Sequence, residues 1–148
     1  MGHEDDGGFG ACADIEQQVV GELAGLPDAV IATGGGTVLR EANRNALRAA
    51  STVIYLRSTP EELFRRLRHD SHRPLLQVAD PMKKLRALFA ERDPLYRQTA
   101  HFIIETGRPS VPSLVNMILM QLELAGVVSA FRAPKAAAPA LTLRNSPR

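Results

Sequence analysis

The sequence predicts an α/β domain built on a parallel sheet, and three observations lead there. Segments with helical spacing alternate with short strand-like runs along most of the chain. The alternation is regular enough to imply right-handed crossovers, with helices covering both faces of the sheet. The loops richest in glycine, arginine and hydroxyl side chains all follow strand-like runs, where open parallel sheets hold ligands.

The composition suits one such domain. The chain has 148 residues, 45% of them hydrophobic and 23% charged, enough for a single core. A formal charge of +2 argues against nucleic acid as a partner. Lysine occurs only at Lys83, Lys84 and Lys135, so the cations are almost all arginine. Arginine favours bidentate contacts with carboxylate and phosphate, but a GC-rich genome gives the same bias and explains most of them. Cys12 stands alone, which excludes an internal disulfide and fits a cytoplasmic protein, as does the lack of a signal peptide.

Residues 1–12 carry no periodicity and read as a flexible amino terminus. From Asp14 the spacing turns helical, with Ile15, Val19, Glu22 and Leu23 on one face and a stop at Gly25 and Pro27. "AVIAT", residues 29–33, reads as a buried strand running into Gly34, Gly35 and Gly36. "REANRNALRAA" is a helix and "TVIYLRS", residues 52–58, a second strand.

Thr59, Pro60 and Glu62 form a capping box that starts the next helix, whose apolar stripe is Leu63, Phe64 and Leu67. A polar loop follows, then a helix capped by Asp80-Pro81 that runs to Arg92. Asp93-Pro94 breaks it and restarts the chain. "HFIIET", residues 101–106, is the third strand, and residues 113–125 form the closing helix. Asn116, Gln121 and Glu123 make that helix a buried core element rather than a membrane span. Residues 127–148 are Ala/Pro-rich and read as a disordered tail.

Three places could carry chemistry. The glycine triplet lets backbone approach a ligand with no Cβ in the way, its amides aimed at an anion or hydroxyl beside the next helix; a tight strand-to-helix turn accounts for it equally well. In "RHDSHRPLL", Arg66, Arg68 and Arg73 border a loop able to close over a phosphate, although a solvated basic helix face is the commoner meaning. His69 and His72 lack a third ligand at metal spacing, so no metal is expected there. Arg92 continues the stripe of Leu85 and Phe89, so it points inward and needs an anion. That anion is either a core carboxylate, near Glu91 or Asp93, or a ligand.

"ATGGGTVL", "RPLL", "ERDPLYRQTA" and "ETGRP", in this order, resemble the successive signatures of the shikimate kinases. The resemblance runs from Asp14 to about Ala125. It implies an incomplete fold of the P-loop, nucleoside-monophosphate-kinase type, with strands 3, 4 and 5 of a sheet ordered 2-3-1-4-5. It implies transfer of the ATP γ-phosphate to the 3-hydroxyl of shikimate, in chorismate and aromatic amino-acid biosynthesis. Gly34, Gly35 and Gly36 would lie against the shikimate hydroxyls and Arg92 would hold its carboxylate. Arg73 would be the catalytic lid arginine on the ATP phosphates. Arg66 would stack on adenine, with Arg108 and Pro109 on its other face. The domain would span residues 13–126, and its partners would be shikimate and ATP or ADP, without nucleic acid, membrane or a second subunit.

The chain departs from the family pattern at three motifs. It has no Gly-Lys dipeptide, so G-x-x-x-x-G-K-[ST] is absent, and with it the P-loop lysine and the Mg²⁺-binding hydroxyl. The aspartates that position substrate and metal are missing, as is a second carboxylate-binding arginine from a "GFR" motif. The expectation is an amino-terminally truncated kinase, inactive alone because phosphoryl transfer is nearly all positioning and electrostatics. The competing readings are a non-catalytic remnant that keeps weak shikimate or nucleotide binding, a related P-loop small-molecule kinase, and an arginine-rich nucleic-acid binder.

Overall fold

The computed structural model describes residues 7–68 and 78–129. Its elements run α1 (Gly7–Ala24), a 3-10 turn (Thr37–Leu39), α2 (Glu41–Ala50), β1 (Ile54–Arg57), α3 (Pro60–Leu67), α4 (Pro81–Thr99), β2 (Phe102–Glu105) and α5 (Val111–Leu124). The two strands pair in parallel, Ile54 opposite Phe102 and Arg57 opposite Glu105. The predicted α/β class holds, with a small parallel sheet flanked by helices.

The predicted first strand does not form. Residues 29–33 form no regular secondary structure and join no ladder, and Val30 is fully exposed. A β-branched run becomes a strand only where a neighbour supplies backbone partners, and β1 pairs with β2 alone. Their contacts with β2 leave the amides and carbonyls of Ile54 and Leu56 facing the opposite, unpaired edge.

α1 starts at Gly7 rather than Asp14, and it turns a different face inward. Val20 and Ala24 are buried against Leu47, with Val53 beside them, while Ile15 and Val19 stay exposed. The helix is apolar on two sides, so spacing alone could not choose between them. Ile15, Val19, Leu23 and Ile31 instead line an open groove of about 320 Å³. The stop at Gly25 and Pro27 works as predicted, with Asp28 taking the left-handed backbone conformation (φ 52°) in the turn.

α3 opens with the full predicted capping box. The Thr59 hydroxyl accepts from the Glu62 amide, and the Glu62 carboxylate accepts from the Thr59 amide at 3.0 Å. α5 begins at Val111, capped by Ser110, and none of its residues is buried. The expected core helix is thus a surface helix, with Val111, Met120 and Leu124 in solvent. Among the described residues, no helix is long and apolar enough to cross a membrane.

The break expected at Asp93-Pro94 is also absent, because α4 runs unbroken through Pro94. Proline removes the hydrogen bond that would have reached the Ala90 carbonyl, but side-chain bonds hold this part of the helix to the sheet. Asp93 accepts from Tyr55 Oη at 3.0 Å, Arg57 Nε at 3.1 Å and Arg97 Nε at 2.7 Å. The residue expected to break the helix is therefore the centre of a largely buried ion network. Arg48 satisfies the far end of α4, donating to the Thr99 and Ala100 carbonyls at 3.2 and 2.9 Å.

Candidate functional site

Gly35, Arg92 and Tyr96 meet at one place. Arg92 and Tyr96 are one helical turn apart on α4, so they share a face. Tyr96 Oη donates to the Gly35 carbonyl at 2.6 Å. A Cβ on Gly35 would stand 2.9 Å from Tyr96 Oη and 3.2 Å from Arg92 Nη1. None of the three glycines has positive φ, so conformational freedom does not explain Gly35. Its missing side chain makes room for these two groups.

Gly34 differs, because a Cβ there would meet open space. Gly36 caps only the three-residue 3-10 turn, and α2 begins further on, at Glu41. The triplet therefore does not feed directly into a long helix, as the strand-to-helix reading had it. Behind the turn, the buried Thr37 hydroxyl donates to Glu16 at 2.7 Å and the Thr37 carbonyl accepts from Asn43 at 3.0 Å. α1 and α2 thus hold the turn from one side and α4 from the other.

Arg92 is half-buried, and its Nε is buried with no hydrogen-bond partner. The core carboxylate considered for it, Asp93, is taken by Tyr55, Arg57 and Arg97. A buried guanidinium donor left unmatched costs about 1–3 kcal/mol or more. Its Nη1 lies toward the glycine turn, while its Nε has no partner among the described residues.

Burial, then the hydrogen bond to Asp93, push the Tyr55 phenol far above its ordinary pKa, so it stays protonated and donates to Asp93. Burial works against the Asp93 carboxylate, but the bonds from Arg97, Tyr55 and Arg57 outweigh it and hold Asp93 below the ordinary aspartate value. The Tyr55 and Tyr96 rings lie 4.8 Å apart, which joins this network to the glycine turn. Arg57 also lies over the Phe89 ring, 5.1 Å from its centroid.

A second grouping lies beyond the carboxyl ends of the strands. Arg66 Nη2 donates to the Thr106 carbonyl, at the start of the loop that carries Arg108 and the half-buried Pro109. Gly107 abuts the capping-box glutamate, and a Cβ on Gly107 would fall inside the Glu62 carboxylate. Gly107→Ala is therefore expected to displace Glu62 from its cap and destabilise the chain by about 1–3 kcal/mol. A urea melt checks this, and Glu62→Ala should relieve most of the additional cost of the alanine. Arg73, His69 and His72 lie outside the described residues, as do residues 130–148 of the tail.

The structure thus brings Arg92 to the glycines and Arg66 to the Arg108 loop. Spacing missed Tyr96, Tyr55 and Asp93. Tyr96 was legible in principle, since it extends the Leu85, Phe89 and Arg92 stripe by one more turn. Asp93 was misread because aspartate before proline is also a helix-start signal.

The family model for shikimate kinase matches residues 6–123. The chain belongs to the shikimate kinase family. It is 56% identical over 126 residues to a shikimate kinase of Ralstonia nicotianae, covering 85% of this chain and 65% of that protein. A shikimate kinase of Cupriavidus pinatubonensis is 54% identical over 136 residues, covering 92% of this chain and 67% of the other. Among solved structures, a shikimate kinase from Acinetobacter baumannii in complex with shikimate superposes with a TM-score of 0.70 at 40% identity. That match covers 83% of this chain and 68% of the other. The chain spans about two thirds of the length of the shikimate kinases it matches, and over that part it has their α/β architecture.

Proposed function

We propose that these residues form the acceptor-binding and lid-side part of a shikimate kinase, the enzyme that moves the ATP γ-phosphate onto the 3-hydroxyl of shikimate. One observation carries the reading: Arg92 has a buried Nε with no partner among the described residues, and its Nη1 lies toward a turn in which Gly35 has no side chain. A ligand carboxylate would satisfy that guanidinium, and the exposed backbone of Gly34 and Gly35 can meet ring hydroxyls. Arg92 is thus assigned the carboxylate, and Gly34, Gly35 and Gly36 the hydroxyl side of shikimate.

On the nucleotide side, Arg66 and the Arg108-Pro109 pair are assigned the two faces of adenine, a reading supported by the bond from Arg66 to Thr106. Arg73 is assigned the lid role on the phosphates. Residues 13–126 are taken as the kinase portion, with residues 1–12 and 127–148 flanking it, in a cytoplasmic monomer without nucleic-acid or membrane partners.

The family depends on ATP and Mg²⁺, and the metal does not fit the residues described. They contain no group of three or more His, Cys, Asp or Glu side chains able to hold a metal ion. The sequence also has no Gly-Lys dipeptide for a phosphate cradle. Each missing charge-stabilising group is worth about 10²–10³ in rate by analogy with oxyanion donors, so these residues alone should bind shikimate without turning it over.

Calorimetric titration of the purified chain with shikimate tests the reading. Heat that saturates at millimolar or lower ligand is expected, together with no ATP-dependent product in a coupled assay. Absence of heat at millimolar shikimate would overturn the binding assignment. Robust Mg²⁺-dependent turnover by the pure chain would overturn the catalytic one.

A further inference from the structure

We infer that Tyr96 is a positioning residue, whose phenol ties the glycine turn to α4 and so sets the gap between Gly35 and the Arg92 guanidinium. The inference deepens the shikimate-binding reading and rests on it for the identity of the ligand.

The turn is weakly held by its own backbone. Its internal bonds are Thr37 to the Gly34 carbonyl at 3.2 Å and Leu39 to the Gly36 carbonyl at 3.0 Å. Neither reaches α4. Among the described residues, Tyr96 Oη makes the hydrogen bond that crosses from α4 to the triplet, at 2.6 Å.

The tyrosine is itself braced. Its ring lies 4.8 Å from that of Tyr55 at an interplanar angle of 33°. Tyr55 Oη is bonded to Asp93, and Asp93 is held by Arg57 and Arg97. Arg92 leaves α4 one turn before Tyr96, so a displacement of the glycine turn changes what its guanidinium faces. Among the described residues no hydrogen bond holds Arg92 Nε in place. The clamp therefore acts on the geometry of the anion site while making no contact with the anion.

A clamp of this kind predicts a selective loss. Tyr96→Phe keeps the ring on Tyr55 and removes one hydroxyl, so the thermal melt should change little. The Kd for shikimate should rise about three- to tenfold, the range of one net hydrogen bond. The Kd for shikimate methyl ester, which has the same ring hydroxyls and no charge, should rise less. Preference for acid over ester therefore shrinks. In ¹⁵N-labelled full chain, exchange of the Thr37 and Leu39 amides, which donate the bonds that close the turn, should quicken in Tyr96→Phe. It should stay at the unaltered rate in Tyr55→Phe, which keeps the Tyr96 hydroxyl.

Unchanged acid-over-ester preference together with unchanged exchange at Thr37 and Leu39 in Tyr96→Phe would overturn the inference. Equal losses for acid and ester, with exchange raised throughout the chain, would also overturn it, since that is a merely structural effect. If the unaltered chain bound neither compound, the shikimate reading would fall and the exchange rates would still decide the clamp. Faster exchange confined to the Thr37 and Leu39 amides upholds it, and no change rejects it.

Discussion

Asp93→Ala should cost the chain about 3–5 kcal/mol of stability, the range for removing one partner of a buried ion network. The side chain is only 13% exposed and Arg57 only 19%, so the Arg57 Nε cannot simply rehydrate when Asp93 goes, although its Nη1 keeps Glu105 at 3.0 Å. Tyr55 would lose its acceptor at the same time. Arg97 is about half exposed and would contribute little to the loss. The measurement is urea unfolding followed by far-UV circular dichroism, with the midpoint shifting and the slope held. A cost under about 1 kcal/mol would mean that the network does not anchor α4 across Pro94.

The same group predicts an acid limb. Asp93 titrates lower in the folded chain than in the unfolded one, because its bonds outweigh burial. The folded state therefore holds fewer protons in that range, and its stabilisation is complete above the ordinary aspartate value, about pH 4. It drains away as pH falls through the depressed value. Asp93→Asn should flatten this limb, so that variant and parent converge in stability once pH has fallen below the depressed value. An identical acid dependence in both would assign the limb to other carboxylates.

Arg92→Met should act in opposite directions on binding and on stability. It removes the proposed carboxylate partner, a charge-assisted contact worth about 1.5–3 kcal/mol, so shikimate affinity should fall roughly 10- to 150-fold. It also removes a buried donor with no partner in the free chain. The unliganded protein should gain up to about 1–3 kcal/mol, as happens where a binding site is maintained at the expense of stability. Calorimetry and a urea melt on one preparation read both effects. Loss of stability together with unchanged affinity would show that Arg92 is a packing residue.

Gly35→Ala probes the same corner from the opposite wall. Its methyl would press on Tyr96 Oη and Arg92 Nη1, and overpacking of this size costs about 1–3 kcal/mol. Gly34→Ala meets nothing within 4 Å and should leave the melting temperature unchanged. The contrast separates a steric need for glycine at one position from mere tolerance at its neighbour.

Local signals read well where short-range chemistry decides. The Thr59 capping box, the Gly25 and Pro27 stop, and the β1 and β2 runs needed only neighbours a few residues away, and all formed. The inward direction of Arg92 was also legible, because helical spacing fixes which residues share a face.

Tertiary partners decided the rest. "AVIAT" has the composition of a strand and no ladder, since a strand is completed by another strand's amides. α1 had two apolar sides, and Leu47 determined which one was buried. Asp93-Pro94 carries a helix-start signal, overridden by Tyr55 and Arg57, two donors that only folding brings within 3.1 Å of the Asp93 carboxylate. Sequence alone thus specified the parts and the family they belong to. Which groups remained unpaired at the end, Arg92 Nε above all, depended on contacts between residues far apart in the chain.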